Sequence, residues 1–198
     1  MNIGLTGGIA TGKSTVSALL VSKGALLVDA DVIAREVMLP GHPVLAAAVE
    51  HFGQAILLPD GTLDRRRLGD IVFHDPGERK ALNDITHPAI RQEIREQMQT
   101  FEREHPDRLV VVDIPLLFES GLEAMFEQVL LVYAPFEVQV ERLMERNRLT
   151  KDEAVARIRS QMDIEEKKKR ADVVIDNSGQ PSETERQVNE FWNRKGLL

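Results

Sequence analysis

The chain has 198 residues, 42% of them hydrophobic, and carries 25 Lys and Arg against 32 Asp and Glu, a formal net charge of −7. That length buries a sizeable core, either as one domain or as a core with an inserted subdomain, and the acidic balance speaks against a non-specific grip on nucleic acid. There is no cysteine, which excludes disulfides, thiolate metal sites and cysteine nucleophiles, and no apolar run approaches the roughly 20 residues of a membrane span.

The amino terminus opens on Asn2-Ile3-Gly4-Leu5-Thr6, short and apolar enough for a buried strand, with no room for a secretory signal. A cytoplasmic protein is therefore expected. Gly7-Gly8-Ile9-Ala10-Thr11-Gly12-Lys13-Ser14 follows and fits G-x-x-x-x-G-K-[ST]. Lys13 to Lys23 then places Val16, Leu19 and Leu20 at helical spacing. Strand, glycine loop and helix form the arrangement that binds polyphosphate. The glycines let the backbone approach closely, and the loop amides make an anion nest. The helix N-terminus adds its free N–H groups and positive dipole end. Lys13 supplies a point charge for the β- and γ-phosphates, and the Ser14 hydroxyl is placed to ligate Mg²⁺. The loop thus indicates a nucleoside triphosphate with magnesium, but does not name the acceptor.

Ala25-Leu26-Leu27-Val28-Asp29 reads as a second buried strand, running into Asp29-Ala30-Asp31. Ligands of open α/β sheets sit at the carboxyl ends of strands, so these carboxylates are candidates for receiving a proton from an acceptor hydroxyl. Either Asp29 or Asp31 alternatively caps the next helix. Arg35, four residues after Asp31, shares its helix face and either orients it, binds an anionic part of the substrate or forms a surface pair.

From Pro40-Gly41 to about residue 105 no further core strand is evident. Val44 to Phe52 is a short amphipathic helix, and Asp60-Gly61 marks a small hairpin or bend. Asp64 caps a helix carrying Arg65, Arg66 and Arg67, either an anion patch or a solvated face. Pro76 begins one helix, and Thr86-His87-Pro88 opens another, to about Glu104. His87 there is a cap, a packed ring or a substrate contact. This stretch is read as a helical insertion that builds the acceptor site, leaving 1–39 and 106–198 as the nucleotide-binding core.

Arg108 to Asp113 is a third strand ending in an acid, like the second acidic motif of P-loop enzymes, whose aspartate contacts Mg²⁺ directly or through water. The apolar loop from Ile114 through Pro115 and Leu116 to Ser120 either contacts the acceptor or packs under the insertion. Gln128 to Tyr133 is a fourth strand. Pro135 opens a helix with Arg142 and Arg146 at i,i+4, and Thr150 with Glu153 forms a capping box for the next. These two helices, within about 136–166, form a lid that carries positive charge onto the transferring phosphoryl group and excludes water. Lys167-Lys168-Lys169-Arg170 reads as a solvated helix end. Asp172 to Asp176 is a fifth strand, and the turn at Asn177-Ser178-Gly179 can cover an adenine. Ser182 to Glu185 repeats the capping-box form ahead of a last helix through Phe191 and Trp192.

Taken together, these motifs resemble the dephospho-coenzyme A kinase family over nearly the whole chain. The resemblance rests on Leu5 to Ile9 with Gly12-Lys13-Ser14-Thr15, Asp29-Ala30-Asp31 with Ile33-Ala34-Arg35, Pro40-Gly41, and Asp60 to Arg65. It continues through Leu82-Asn83, His87-Pro88, Pro115-Leu116-Leu117 with Glu119, and Asp172 to Ile175 with Asn177 and Gly179. Ala10-Thr11 departs from the family's frequent glycine and serine, and Ser178 from a common asparagine. The resemblance implies an α/β P-loop fold of three layers with a parallel sheet, a helical coenzyme-A-binding insertion at 40–105 and a helical lid. It implies ATP·Mg²⁺-dependent phosphorylation of the ribose 3′-hydroxyl of dephospho-coenzyme A, with a small-molecule acceptor and no nucleic acid or membrane partner. Asp31 would be the base or hydroxyl-orienting residue, with Arg35, His87, Pro115 and Leu116 toward the acceptor. Lys13 and Arg142 would stabilise phosphoryl charge, Ser14 and Asp113 would hold the metal, and Gly7, Gly8, Ala10, Thr11, Gly12, Thr15 and Asn177 would line the nucleotide site. Another P-loop kinase of nucleosides or nucleotides is the alternative. A GTP-dependent switch would need an Asn-Lys-x-Asp segment, which the chain lacks.

Overall fold

The five short apolar runs form one sheet in the computed structural model, which describes residues 1–197. The strands are β1 (Asn2–Gly7), β2 (Leu26–Asp29), β3 (Val110–Asp113), β4 (Gln128–Tyr133) and β5 (Val173–Asp176). Their order is β2-β3-β1-β4-β5 and the sheet is parallel. The glycine loop therefore leaves the central strand, where the carboxyl ends of β3 and β4 flank it on either side. Register aligns Leu5 with Asp113, so the acid that ends β3 stands level with the last turn of β1 before the loop.

Parallel strands are joined by crossovers: α1 (Lys13–Ser22) leads from β1 to β2, a helical stretch from residue 30 to 104 lies between β2 and β3, and α6 (Phe136–Asn147), α7 (Lys151–Arg159) and α8 (Ile164–Arg170) lead from β4 to β5, after which α9 (Pro181–Arg194) follows β5. Alternation along β4 divides the core between two faces. Leu130 and Val132 pack with Ile3, Leu5, Val16, Leu20, Phe191 and Trp192 under α1 and α9. Leu131 and Tyr133 face the other way, onto Ile164 of α8. A separate small cluster of Val140, Leu143, Ala154 and Ile158 joins α6 to α7, with Ile9 and Ala10 of the loop packed against it.

The chain divides into two compact units, residues 1–28 with 98–198 and residues 29–97. The second is all helical apart from one antiparallel bridge, Leu57 to Leu63, around the Asp60-Gly61 turn. It contains α2 (Ala30–Glu36), α3 (Pro43–Phe52), α4 (Arg65–His74) and most of α5 (Pro76–Glu104). His42 caps α3 through Nδ1, and Asp64 caps α4 by accepting the Arg67 N–H at 3.0 Å.

Four expectations of local structure are corrected. The helices expected on either side of His87-Pro88 are one continuous helix, α5, with Pro88 inside it. Proline there forfeits one backbone hydrogen bond. Long-chain helix formers on both sides, and side-chain bonds such as Gln97 to Glu93 at 2.9 Å, keep the helix running. β2 is an edge strand, and of its four residues only Val28 is buried. The expected capping box at Ser182 is not used, because Pro181, with its φ already helical, takes the first helical position of α9. Finally, Lys167 is not solvated at all.

Candidate active site

The glycine loop adopts the conformation its sequence demands. Gly12 lies at φ 86° and opens α1, so the first turn exposes its N–H groups beside Lys13, Ser14 and Thr15. Ala10, where a glycine is frequent in the resembling family, sits at φ 60° and carries the modest strain of a left-handed alanine. Thr11 keeps the role open to serine, since its Oγ1 donates to the Gly8 carbonyl at 2.9 Å. Gly7 has no room for a side chain: a Cβ would stand 2.6 Å from Thr11 Oγ1 and 3.0 Å from the Val132 carbonyl.

Around this loop the unit of residues 1–28 and 98–198 gathers most of the predicted nucleotide residues. The Lys13 ammonium pairs with the Asp113 carboxylate, which is buried at the end of β3. A cavity of about 610 Å³ is lined by Gly12, Thr15, Arg142, Glu145, Arg146 and Asn177, among others. Arg142 is held there by donating from Nη2 to the Asn177 carbonyl at 2.7 Å. Asn177 is itself fixed on three sides. Its N–H donates to the Tyr133 carbonyl at 2.8 Å, its Nδ2 to the Thr11 carbonyl at 2.7 Å, and its Oδ1 accepts from Thr184 at 2.7 Å. Two arginines on one cavity beside the N-terminus of α1 suit a polyanion, with Glu145 on the same lining. Pro115 also belongs to this unit, its carbonyl accepting from Thr6 Oγ1 at 3.1 Å. The next residue, Leu116, is 43% exposed while Leu117 is buried.

Asp31, Arg35 and His87 belong to the other unit. Asp29 is the helix cap, accepting the N–H groups of Asp31 at 2.8 Å and Val32 at 3.1 Å. That leaves Asp31 exposed in the first turn of α2, and no ion pair joins it to Arg35 among the described residues. His87 is half-buried in the middle of α5. Burial, then the charge of Arg91, holds its imidazole below the usual range against the opposing charge of Asp84. A second cavity of about 550 Å³ in this unit is lined by Pro40, Gly41, Leu45, Val49 and Leu57 among others.

Sequence reasoning missed the side chains that hold the loop from behind. Lys167 is 0% exposed and pairs with Glu119 at 2.8 Å. Gln139 donates to the Ile9 carbonyl at 2.8 Å, and Gln161 accepts the Ile9 N–H at 3.0 Å. The available signal for Lys167 was its place three residues after Ile164, on the buried stripe of α8.

A parallel sheet with a phosphate-binding loop on its central strand, a buried acid on the neighbouring strand and arginines over the loop defines a P-loop kinase of small molecules. The fold is shared with shikimate kinase from Bacteroides thetaiotaomicron, with a TM-score of 0.51 over 100% of this chain and 99% of that one at 15% identity. The family model for dephospho-CoA kinase matches residues 1–183. A dephospho-CoA kinase of Enterococcus faecalis is 51% identical over 189 residues, 96% of this chain and 94% of that protein. The solved dephospho-CoA kinase from Campylobacter jejuni superposes with a TM-score of 0.76, covering 100% of this chain and 98% of its own at 34% identity. The chain belongs to the dephospho-CoA kinase family. It is a phosphotransferase that uses ATP and acts at the final step of coenzyme A biosynthesis, which sets aside the nucleoside-kinase alternative. No helix among the described residues is long and apolar enough to cross a membrane.

Proposed function

We propose that the residues around the glycine loop bind ATP·Mg²⁺, and that Asp31 presents the ribose 3′-hydroxyl of dephospho-coenzyme A to its γ-phosphoryl group. The observation that carries this reading is the cavity that Gly12 and Thr15 share with Arg142, Arg146 and Asn177. The loop amides and the α1 N-terminus hold the phosphates, and Asn177 with Gly179 borders the base. Lys13 and Arg142 stabilise charge on the equatorial oxygens as the γ-phosphoryl group passes in line from ATP to the hydroxyl and ADP departs. An arriving triphosphate competes with Asp113 for the Lys13 ammonium, so binding exchanges one ion pair for another.

The donor set suits magnesium. Ser14 and Asp113 offer hard oxygens, and no cluster of three or more His, Cys, Asp or Glu among the described residues would hold an ion without help from phosphate and water. Bound there, the ion would offset phosphate charge. Because the transition state is loose, positioning outweighs basicity, and Asp31 chiefly aligns the hydroxyl while accepting its proton late. Arg35 and His87, with Pro115 and Leu116, are assigned to the acceptor, whose coenzyme-A-binding part is the helical stretch 40–105. Helices α6 and α7, within 136–166, serve as the lid. The compartment is the cytoplasm, and neither nucleic acid nor membrane takes part.

The deciding experiment measures ADP release from ATP·Mg²⁺ with and without dephospho-coenzyme A and weighs the product. Strong stimulation with a mass gain of one phosphate is expected. A chain that binds ATP without such stimulation would keep the nucleotide assignment and lose the acceptor.

A further inference from the structure

Three side chains reach the carbonyl oxygens of the glycine loop, and they come from three different elements. Lys167 Nζ, on α8, donates to the Gly7 carbonyl at 3.4 Å. Gln139 Nε2, on α6, donates to the Ile9 carbonyl at 2.8 Å. Asn177 Nδ2, in the turn after β5, donates to the Thr11 carbonyl at 2.7 Å. These are alternate residues. Of the neighbouring carbonyls, that of Gly8 is taken by Thr11 and that of Gly12, one residue further on, by the N–H groups of Thr15 and Val16. A loop binds phosphate through its N–H groups only while its carbonyls face elsewhere, since an inward carbonyl repels the anion it should receive. Short glycine-rich segments flip peptides easily, so something must fix them.

We propose that Gln139, Lys167 and Asn177 are positioning residues that hold the Gly7, Ile9 and Thr11 carbonyls off the phosphate-facing side of the loop, and that Gly8 is glycine because the Gln139 carboxamide occupies the space of a side chain, as the Asn177 carboxamide does beside Gly12, whose φ of 86° already favours glycine. A Cβ on Gly8 would stand 2.3 Å from Gln139 Nε2, and one on Gly12 would stand 2.1 Å from Asn177 Nδ2. The cost of the arrangement is visible at Gln139. Its side chain is 1% exposed, and its Oε1 has no hydrogen-bond partner among the described residues. A buried amide that leaves its acceptor unused is tolerated for what its donor does, because the opposite rotamer of the amide would set oxygen against the Ile9 carbonyl. Lys167 is likewise aimed. Glu119 Oε1 holds its ammonium at 2.8 Å and accepts the Met162 N–H at 3.0 Å, which leaves the lysine a proton to direct at Gly7. Fixing the loop in advance removes an ordering cost from nucleotide binding.

The inference rests on the assignment of ATP to this loop, and the experiment separates the two. ATP·Mg²⁺ binding is titrated calorimetrically on the full chain, with thermal melts and the KM for dephospho-coenzyme A measured alongside. The wild-type chain should bind ATP, and failure to do so overturns the assignment itself. Gln139→Leu and Lys167→Met should each weaken ATP about tenfold, the loss of one oriented hydrogen bond, with the KM for dephospho-coenzyme A unchanged. Lys167→Arg should restore most of the affinity. Gly8→Ala should weaken ATP in the wild-type background and cost nothing further in Gln139→Ala, where the clashing amide is gone. Wild-type ATP affinity in the folded Gln139→Leu variant overturns the proposal, as does a Gly8→Ala penalty of the same size in both backgrounds. Should Lys167→Met fail to fold, the Gln139 variant and the Gly8 cycle decide alone.

Discussion

Two aspartates separated by one residue serve different ends in this chain. Asp29 spends its carboxylate on the N–H groups of Asp31 and Val32, while Asp31 is exposed two residues later. Asp31→Asn should therefore keep ATP affinity and the melting temperature while lowering kcat roughly 10²-fold, the scale on which a positioned acid–base group acts. Steady-state kinetics with near-normal turnover would remove Asp31 from the chemistry. His87 supplies a second test. Its imidazole is held below its ordinary value of 6.5, chiefly by burial. The folded state thus favours the neutral ring, and the stabilisation is full above pH 6.5 and lost as pH falls through the lower folded value. In melts between pH 7.5 and 5, His87→Gln should flatten part of the acid-side fall, and superimposable profiles would show that His87 does not contribute.

Helix ends were legible where capping chemistry is local, and less so where a neighbour decides. Thr150 and Glu153 form the expected capping box on α7, with both bonds present. Asp64 and Pro135 likewise begin their helices. Pro88 misled because the residue before a proline usually leaves the helix, whereas α5 continues for 29 residues. Pro88 has no N–H to give the carbonyl four residues earlier. Pro88→Ala should accordingly raise stability on the order of 1 kcal/mol, a Tm gain of about 2–4 °C for a chain of this size. A lower Tm would mean that the local geometry of the proline is itself needed by the packing of α5. The charged run at 167–170 failed as an element for a related reason. Three of its four residues are exposed, and the helical period turns only Lys167 inward.

At the scale of the whole molecule, one face of the sheet in the nucleotide-binding unit is closed by the last helix. Phe191 and Trp192 of α9 close it against β1, β3, β4 and α1, with Phe191 2% exposed. Phe191→Ala should cost about 3–5 kcal/mol and lower Tm by about 10 °C in calorimetry. A loss under about 1 kcal/mol would show that α9 is peripheral to folding. The Lys167–Glu119 pair is a different kind of contact. Lys167 is buried while the Glu119 side chain is 22% exposed, so the pair lets a buried ammonium keep a partner that itself reaches water. The sequence by itself determined what is local and periodic: five apolar strands, the loop that must be glycine-rich to cradle phosphate, and the acids at strand ends. The family resemblance was carried by the glycine loop and by the motifs that follow it in order, from Asp29-Ala30-Asp31 through His87-Pro88 to Asn177 and Gly179. Only tertiary structure decided the strand order that centres β1, the edge position of β2 and the inward turn of Lys167. It also set the convergence of Gln139, Lys167 and Asn177 on alternate carbonyls of one loop. These depend on which surfaces meet across a hundred or more residues, and the helical spacing that puts Lys167 on the face of Ile164 does not name the groups it meets there.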